Sequence, residues 1–163
     1  MTDDAVDYQL LDRQVAALLA DEDDALANSA NFVGLLWQAL PRINWLGIYV
    51  LRGTELVLGP FQGNPACVRI PLGSGVCGTA AERRQSLRVA DVDEFPGHIV
   101  CDAASRSELV VPIESRGTLL GVLDIDSPVR GRFSAADQAG VERAVATFAA
   151  VLGRDGSTPP RFI

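Results

Sequence analysis

The chain has 163 residues, of which 48% are hydrophobic and 21% charged, so it is long enough for one domain with a substantial core and too apolar for a disordered chain. Its formal charge is -7 and its 14 basic residues are all arginines; the resulting field repels phosphate groups, which argues against binding to nucleic acid or to acidic membranes. No apolar run is long enough to cross a bilayer, and residues 1–4 lack the features of a signal peptide, so we expect a cytoplasmic protein.

Two amphipathic helices are predicted near the N-terminus. Leucine and valine recur at helical spacing over residues 10–19, and a second apolar series extends from Leu26 to Leu40, where Pro41 ends it. Four acidic residues at 21–24 separate the two series, and one of the aspartates can cap the second helix.

The apolar period changes from helical to alternating at residue 44. Residues 44–51 are predicted to form a strand with Trp45, Gly47 and Tyr49 on one face. An Arg-Gly turn leads into a second strand over residues 55–58, which predicts a hairpin with one aromatic face.

Shorter elements occupy the middle of the chain. Strands are predicted over residues 67–70 and 87–90, with a short helix over 78–84 between them. A long loop over residues 91–107 follows.

A second hairpin and a closing helix are predicted in the last third. The strands 108–114 and 118–126 are joined by a three-residue turn, which requires antiparallel pairing. Ser134 is a good N-cap for the closing helix, and two prolines make residues 153–163 a loose tail. The sequence therefore predicts one α+β domain, residues 1–152: an antiparallel sheet of about six strands, with terminal helices on one face and a loop-roofed pocket on the other.

The three cysteines Cys67, Cys77 and Cys101 are candidates for reactivity. In a reducing compartment an odd set of cysteines is more often reactive, metal-binding or buried than part of a disulfide framework. Cys77 lies at a predicted helix start, where the helix dipole favours the thiolate, so chemistry alone makes it the candidate for a lowered pKa. Each cysteine could equally be a small buried hydrophobic residue.

Three acidic residues are candidates for proton transfer. Asp124 and Asp126 are two residues apart on a strand and point to one face, together with Leu120 and Val122. Glu108 opens the neighbouring strand and could reach the same cavity. Carboxyls held partly neutral by burial or by each other can donate protons; alternatively, the aspartates only end a strand before a solvated turn.

Aromatic and histidine side chains could also belong to a site. Trp45 and Tyr49 share a face and could line a pocket, or simply pack in the core. His98, the only histidine, could activate the Cys101 thiol or bind zinc with the cysteines. Because the cysteines lack the close pairs usual in zinc sites, we expect no metal and assign His98 to the shape of the loop.

Several sequence blocks resemble a known family. Residues 108–113, 121–127 and 133–137 resemble the GAF domain, and within that superfamily the chain is most similar to the free methionine-(R)-sulfoxide reductases. The blocks that carry this closer resemblance are NWLGIY (44–49), GPFQG (59–63), PACVRI (65–70), GVCGTA (75–80), FPGHIVCD (95–102) and SELVVP (107–112).

The resemblance implies roles for these residues. Cys101 would be the nucleophile that attacks the sulfoxide sulfur, Cys67 the resolving thiol that forms a disulfide with it, and Cys77 an auxiliary thiol. Glu108, Asp124 and Asp126 would bind and polarise the substrate. A smaller residue is expected at position 100, so Val100 would tighten the pocket.

The resemblance also implies partners. Thioredoxin would restore the dithiol, no cofactor would be bound, and the protein would form a homodimer. The alternative interpretations are a GAF sensor that binds a small molecule without turnover, and a catalytically inert dimerisation module.

Overall fold

The structure is a computed structural model that describes residues 5–154 and 156. The described part contains four α-helices and six strands. In chain order the elements are helices α1 (Tyr8–Leu18) and α2 (Ala25–Ala39), strands β1 (Trp45–Arg52), β2 (Glu55–Gly63) and β3 (Arg69–Pro71), helix α3 (Gly75–Arg83), strand β4 (Leu87–Val89), a 3₁₀ turn (Val92–Glu94), strands β5 (Ser107–Ser115) and β6 (Thr118–Ser127), and helix α4 (Ala135–Leu152). No helix of this part is long and apolar enough to cross a membrane.

The predicted caps start the helices. The Asp24 carboxylate accepts a hydrogen bond from the Ala27 amide at 2.8 Å, which fixes the start of α2. The Ser134 hydroxyl accepts from the Asp137 amide, and the Asp137 carboxylate accepts from the Ser134 amide. This reciprocal pair caps α4 where the sequence predicts its start.

Strand β2 is longer than the sequence predicts. The sequence predicts a strand over residues 55–58, but β2 continues through Gly59-Pro60 to Gly63. The register with β1 shifts between Gly47 and Tyr49, which pair with Phe61 and Leu58. This bulge accommodates the glycine and proline, so pairing resumes beyond them.

All six strands form one antiparallel sheet in the order β3-β2-β1-β6-β5-β4. One face packs against α1, α2 and α4 and forms a helix-side core, which contains Leu46, Ile48, Leu109, Leu123 and Ile125 among the strand residues. The alternate strand residues, with α3, form a pocket-side cluster on the opposite face. The predicted α+β architecture is therefore confirmed, with the central strands β1 and β6 presenting side chains to both layers.

The prediction for Leu120 is wrong. The sequence predicts Leu120 on the same face as Asp124 and Asp126, but its side chain lies in the helix-side core. Val122 lies in the pocket-side cluster, as predicted. The register between β5 and β6 shifts next to Ile113, so one extra residue of β6 reverses the alternation at that point.

Residues 155 and 157–163, which make up most of the expected C-terminal tail, lie outside the described part of the chain. The described part of the tail begins as a turn after α4. The Arg154 guanidinium donates to the carbonyl oxygens of Ala20 and Glu22 and pairs with Asp23, which holds that turn against the segment between α1 and α2.

Candidate active site

A pocket lies on the sheet face opposite the helix-side core. It encloses about 510 Å³ of atom-free space, counting the part that opens to solvent. The start of α3 and the loop that follows the 3₁₀ turn form its walls. Seven of the eight residues proposed from the sequence line it: Trp45, Tyr49, Cys77, Cys101, Glu108, Asp124 and Asp126. The eighth, Cys67, does not line the pocket but is covalently bonded to Cys101, which does.

Cys67 and Cys101 form a disulfide, with Cα atoms 5.5 Å apart. Cys101 lies in the loop before β5, and Cys67 lies in the connection between β2 and β3. Both residues are half-buried, and Cys101 contributes to the pocket wall. The pairing that the resemblance implies is therefore confirmed.

Cys77 differs from the expectation based on chemistry alone. It is 4% exposed, and its thiol donates to Glu108 Oε1 at a distance of 3.7 Å. Burial, and then the negative charges of Asp124 and Glu108, raise the pKa of the Cys77 thiol well above its usual value. The prediction of a lowered pKa is wrong because burial beside carboxyls outweighs the effect of the α3 N-terminus.

The burial and raised pKa of Cys77 predict selective labelling of the other two cysteines in the reduced protein. Near neutral pH, iodoacetamide should modify Cys101 and Cys67 at least about tenfold faster than Cys77, because only the thiolate reacts. Peptide mass spectrometry measures the three rates, and denatured protein serves as the control in which all three cysteines react. Equal labelling of Cys77 and Cys101 in the native protein would contradict the buried, neutral thiol.

The three acidic residues meet on the pocket side of the β5–β6 pair. Glu108 pairs with Asp126 across the two strands, and Asp124 lies two residues along on the same face. Glu108 and Asp124 are each 6% exposed, whereas Asp126 is half-buried. The sequence argument for one shared cavity thus matches the observed geometry.

Burial and mutual repulsion shift the protonation of these acids. Loss of solvation, followed by the negative charges of Asp124 and Asp126, raises the pKa of Glu108 well above its usual value. The pKa of Asp126 is raised well above its usual value by burial and then by Asp124. Burial also raises the pKa of Asp124, against hydrogen bonds from Glu108 and Cys77 that lower it. The cluster therefore retains protons to a higher pH than solvent-exposed carboxyls do.

Asp124 also has unused hydrogen-bonding capacity. Its Oδ1 atom is buried without a hydrogen-bond partner among the described residues. A buried acceptor without a partner is costly, so its presence in a pocket indicates a group that a ligand can satisfy.

In the described part of the chain, only one group of side chains has donor atoms placed to hold a metal ion, and it combines Cys77 with Glu108 and Asp124. One atom each from Cys77, Glu108 and Asp124 lie within 4.8 Å of one another. A metal would require the Cys77 thiolate, and the raised pKa of this thiol opposes that form. The expectation of no bound metal stays a prediction.

His98 extends into the pocket from the loop before Cys101. Its Nε2 atom lies 3.8 Å from Glu108 Oε2, and its side chain is 14% exposed. The histidine therefore faces the acid cluster, a position that its place in the sequence did not predict.

The aromatic residues both pack in the core and line the pocket. The Trp45 ring stacks between those of Tyr49 and Phe61, with centroids 5.9 and 5.4 Å away. Gly47 makes room for it, because a Cβ atom there would lie only 2.4 Å from the indole. The two readings from the sequence, core packing and pocket wall, are thus compatible.

These aromatic residues also hold the segment that carries Cys67. Trp45 Nε1 donates to the carbonyl of Asn64 at 3.0 Å, and the Tyr49 hydroxyl donates to the carbonyl of Cys67 at 2.8 Å. The connection between β2 and β3 is therefore attached to the central strand β1 next to Cys67.

A polar network that no sequence motif indicates supports the Cys101 loop. Asn44 Nδ2 donates to Asp102 Oδ2 and to Ser105 Oγ, each at 3.2 Å. A hydrogen bond from Ser105 lowers the pKa of Asp126 against the effect of burial. Asn44 and Asp102 belong to the matched blocks, but no local pattern shows that residues about 60 positions apart are in contact.

Val100 does not tighten the pocket as expected. It is 67% exposed, and it is absent from the pocket wall. Its neighbours Ile99 and Cys101 line the pocket instead.

Comparisons with known proteins agree with this geometry. The GAF domain family model matches residues 8–152. The free methionine-R-sulfoxide reductase of Escherichia coli is 52% identical over 145 residues, which cover 89% of this chain and 88% of that protein. The structure of fRMsr of Staphylococcus aureus in complex with substrate has a TM-score of 0.88 at 47% identity and covers 93% of this chain and 99% of that chain.

A third relative is more distant in sequence. The free methionine-R-sulfoxide reductase from Neisseria meningitidis, in complex with its substrate, has a TM-score of 0.87 at 39% identity, with 92% of both chains covered. With the fold, the disulfide and the acid-lined pocket, these relatives show that the chain is a GAF-domain oxidoreductase and belongs to the free methionine-R-sulfoxide reductase family.

Proposed function

We propose that this protein reduces free L-methionine-(R)-S-oxide to L-methionine. The observation that carries the proposal is the Cys67–Cys101 disulfide, which lies at the edge of a pocket lined by three acidic side chains. A pair of thiols supplies two electrons, and the acids supply protons, which is what removal of one oxygen atom from sulfur requires.

The first step is attack by the Cys101 thiolate on the sulfoxide sulfur. The sulfoxide oxygen gains a proton from the acid cluster and passes to the cysteine as sulfenic acid, while methionine leaves. Glu108 and Asp126 are suited to donate this proton because burial and neighbouring negative charge raise their pKa values above those of ordinary carboxyls. The Cys67 thiol then attacks the sulfenic sulfur, water leaves, and the observed disulfide forms.

The pocket offers complementary groups for the two ends of a free amino acid. The amides of Gly75, Val76 and Cys77 precede the first intrahelical bond of α3, from Gly78 to Ser74, and can receive a carboxylate. The Asp124 Oδ1 atom and the neighbouring acids can accept hydrogen bonds from the ammonium or the protonated oxygen. Trp45 supplies an apolar wall for the thioether.

Return of the disulfide to the dithiol requires an external reductant, which we propose to be thioredoxin in the cytoplasm. No bound cofactor takes part, because all electron transfer proceeds between sulfur atoms. The homodimer stays a prediction, which sedimentation velocity of the full chain can test.

The direct test uses separated epimers of free methionine sulfoxide. With dithiothreitol as reductant, we expect the protein to consume the R epimer and to release an equal amount of methionine, measured by amino acid analysis. A matched sample of a peptide that contains methionine sulfoxide should remain unchanged, because a residue within a peptide has neither the free carboxylate nor the free ammonium that the groups of the pocket would bind. Binding of the R epimer without consumption would instead identify a sensor and contradict the proposal.

A further inference from the structure

The disulfide is flanked on the protein surface by two exposed valines. Val68, which follows Cys67, is 58% exposed, and Val100, which precedes Cys101, is 67% exposed. They are the most exposed of the six large hydrophobic residues found at the described surface. The pocket does not account for either, since neither lines it.

The two valines lie close to each other. The Cα atoms of the bonded cysteines are 5.5 Å apart, and each valine is the chain neighbour of one of them. With consecutive Cα atoms 3.8 Å apart, the Cα atoms of Val68 and Val100 are separated by at most about 13 Å. A weak redox interface of about 600 Å² per partner is wide enough to cover both.

The two chain segments that carry these valines contain no acidic residue, lysine or arginine. Residues 62–68 and 96–101 contain no aspartate, glutamate, lysine or arginine, in a chain of net charge -7. The flanking charges are engaged elsewhere: Arg69 pairs with Glu55 at 2.6 Å, and Asp102 accepts from Asn44. A partner that contacts residues 62–68 and 96–101 therefore desolvates no carboxylate, ammonium or guanidinium of these two segments.

We propose that this surface, the part of residues 62–68 and 96–101 that bears Val68 and Val100, is the docking site for a reducing protein dithiol. The inference rests on the proposed function, because turnover requires that the disulfide be reduced. The occupant is identified by the half-buried disulfide at the centre of the surface, which only a thiol can open by exchange.

The exchange balances without another reactant. One partner thiolate attacks a sulfur of the Cys67–Cys101 bond and forms a mixed disulfide, while the other cysteine leaves as a thiolate. The second partner thiol then attacks the mixed disulfide on the partner's own sulfur and releases the remaining cysteine. The partner becomes a disulfide, and its two electrons and two protons reside on Cys67 and Cys101.

The test measures reduction of the oxidised full chain without any sulfoxide. Stopped-flow rates are recorded with reduced thioredoxin and, separately, with dithiothreitol, for the wild type and for the double variant Val68→Ser/Val100→Ser. We expect the ratio of the thioredoxin rate constant to the dithiothreitol rate constant to fall about tenfold in the double variant, because loss of apolar contact weakens only protein docking. Taking the ratio removes any effect of the substitutions on the disulfide itself.

A matched control is Leu26→Ser, which alters a 52% exposed hydrophobic side chain on α2. It should leave the ratio at the wild-type value. An unchanged ratio in the double variant, or an equal fall in the control, would overturn the docking site. Failure of the proposed function would appear separately, as absence of methionine in the dithiothreitol-driven epimer assay.

Discussion

Replacement of Cys101 by serine is expected to lower reduction of free methionine sulfoxide by more than about 10³-fold, whichever reductant is supplied. The hydroxyl of serine is a far weaker nucleophile than a thiolate and cannot form the sulfenic acid. Methionine released per protein molecule, measured by amino acid analysis, gives the rate. Full steady-state activity in Cys101→Ser would remove Cys101 from the role of nucleophile.

The companion variant Cys67→Ser separates the two halves of the reaction. It retains the nucleophile but cannot resolve the sulfenic acid, so without reductant it should release about one methionine per protein molecule and then stop. The sulfenic acid on Cys101 should then be trapped by dimedone and detected by mass spectrometry. A sulfenic acid found on Cys77 instead would assign the attack to the buried thiol.

Replacement of Glu108 by glutamine is expected to make the protein less active and more stable at once. Loss of an acid that donates a proton should lower kcat by about 10²- to 10⁴-fold. At neutral and higher pH the same change should raise the free energy of unfolding by about 1–2 kcal/mol, because a carboxyl beside Asp124 and Asp126 no longer has to be buried. The glutamine amide can also donate to the Asp124 oxygen that has no partner.

The gain in stability should depend on pH with a definite sign. The pKa of Glu108 is raised in the folded chain, so between its unfolded value of about 4.3 and its folded value the native state binds the extra proton. Wild-type stability therefore falls as pH rises through this window, whereas Glu108→Gln lacks that loss. The variant should show no advantage below the unfolded pKa and its full advantage above the folded one.

Thermal unfolding of oxidised samples across this pH range provides the measurement. A gain of 1–2 kcal/mol corresponds to an increase in Tm of roughly 2–8 °C. Glu114→Gln is the control on the same strand, since Glu114 pairs with Arg84 at the surface and its loss should cost at most about 1 kcal/mol. If Glu108→Gln melts below the wild type at high pH, the raised pKa of Glu108 is contradicted.

The fold is largely predictable from the sequence because its determinants are local. The alternation from Trp45 to Val50 separates the two faces of β1, and Asp24 and Ser134 cap the helices that they precede. Predictions fail where the backbone departs from regular pairing. The bulge at Gly59-Pro60 lets β2 continue past these two residues. The bulge opposite Ile113 moves Leu120 to the other face of β6.

The candidate site is predictable in part. The spacing of Asp124 and Asp126 places both on one face, and the register of β5 on β6 brings Glu108 beside them. The pairing of Cys67 with Cys101 follows from the family resemblance alone, because no spacing rule selects among three cysteines.

The sequence by itself determined which residue types alternate, where helices begin and which groups could react, because those properties depend on neighbours one to four positions away. Only the tertiary structure decided that the Cys77 thiol is buried and neutral, that Asn44 holds the Cys101 loop, and that Tyr49 holds the Cys67 segment. Burial, pKa and contacts between distant segments depend on how the layers pack, and no window of the sequence contains that packing.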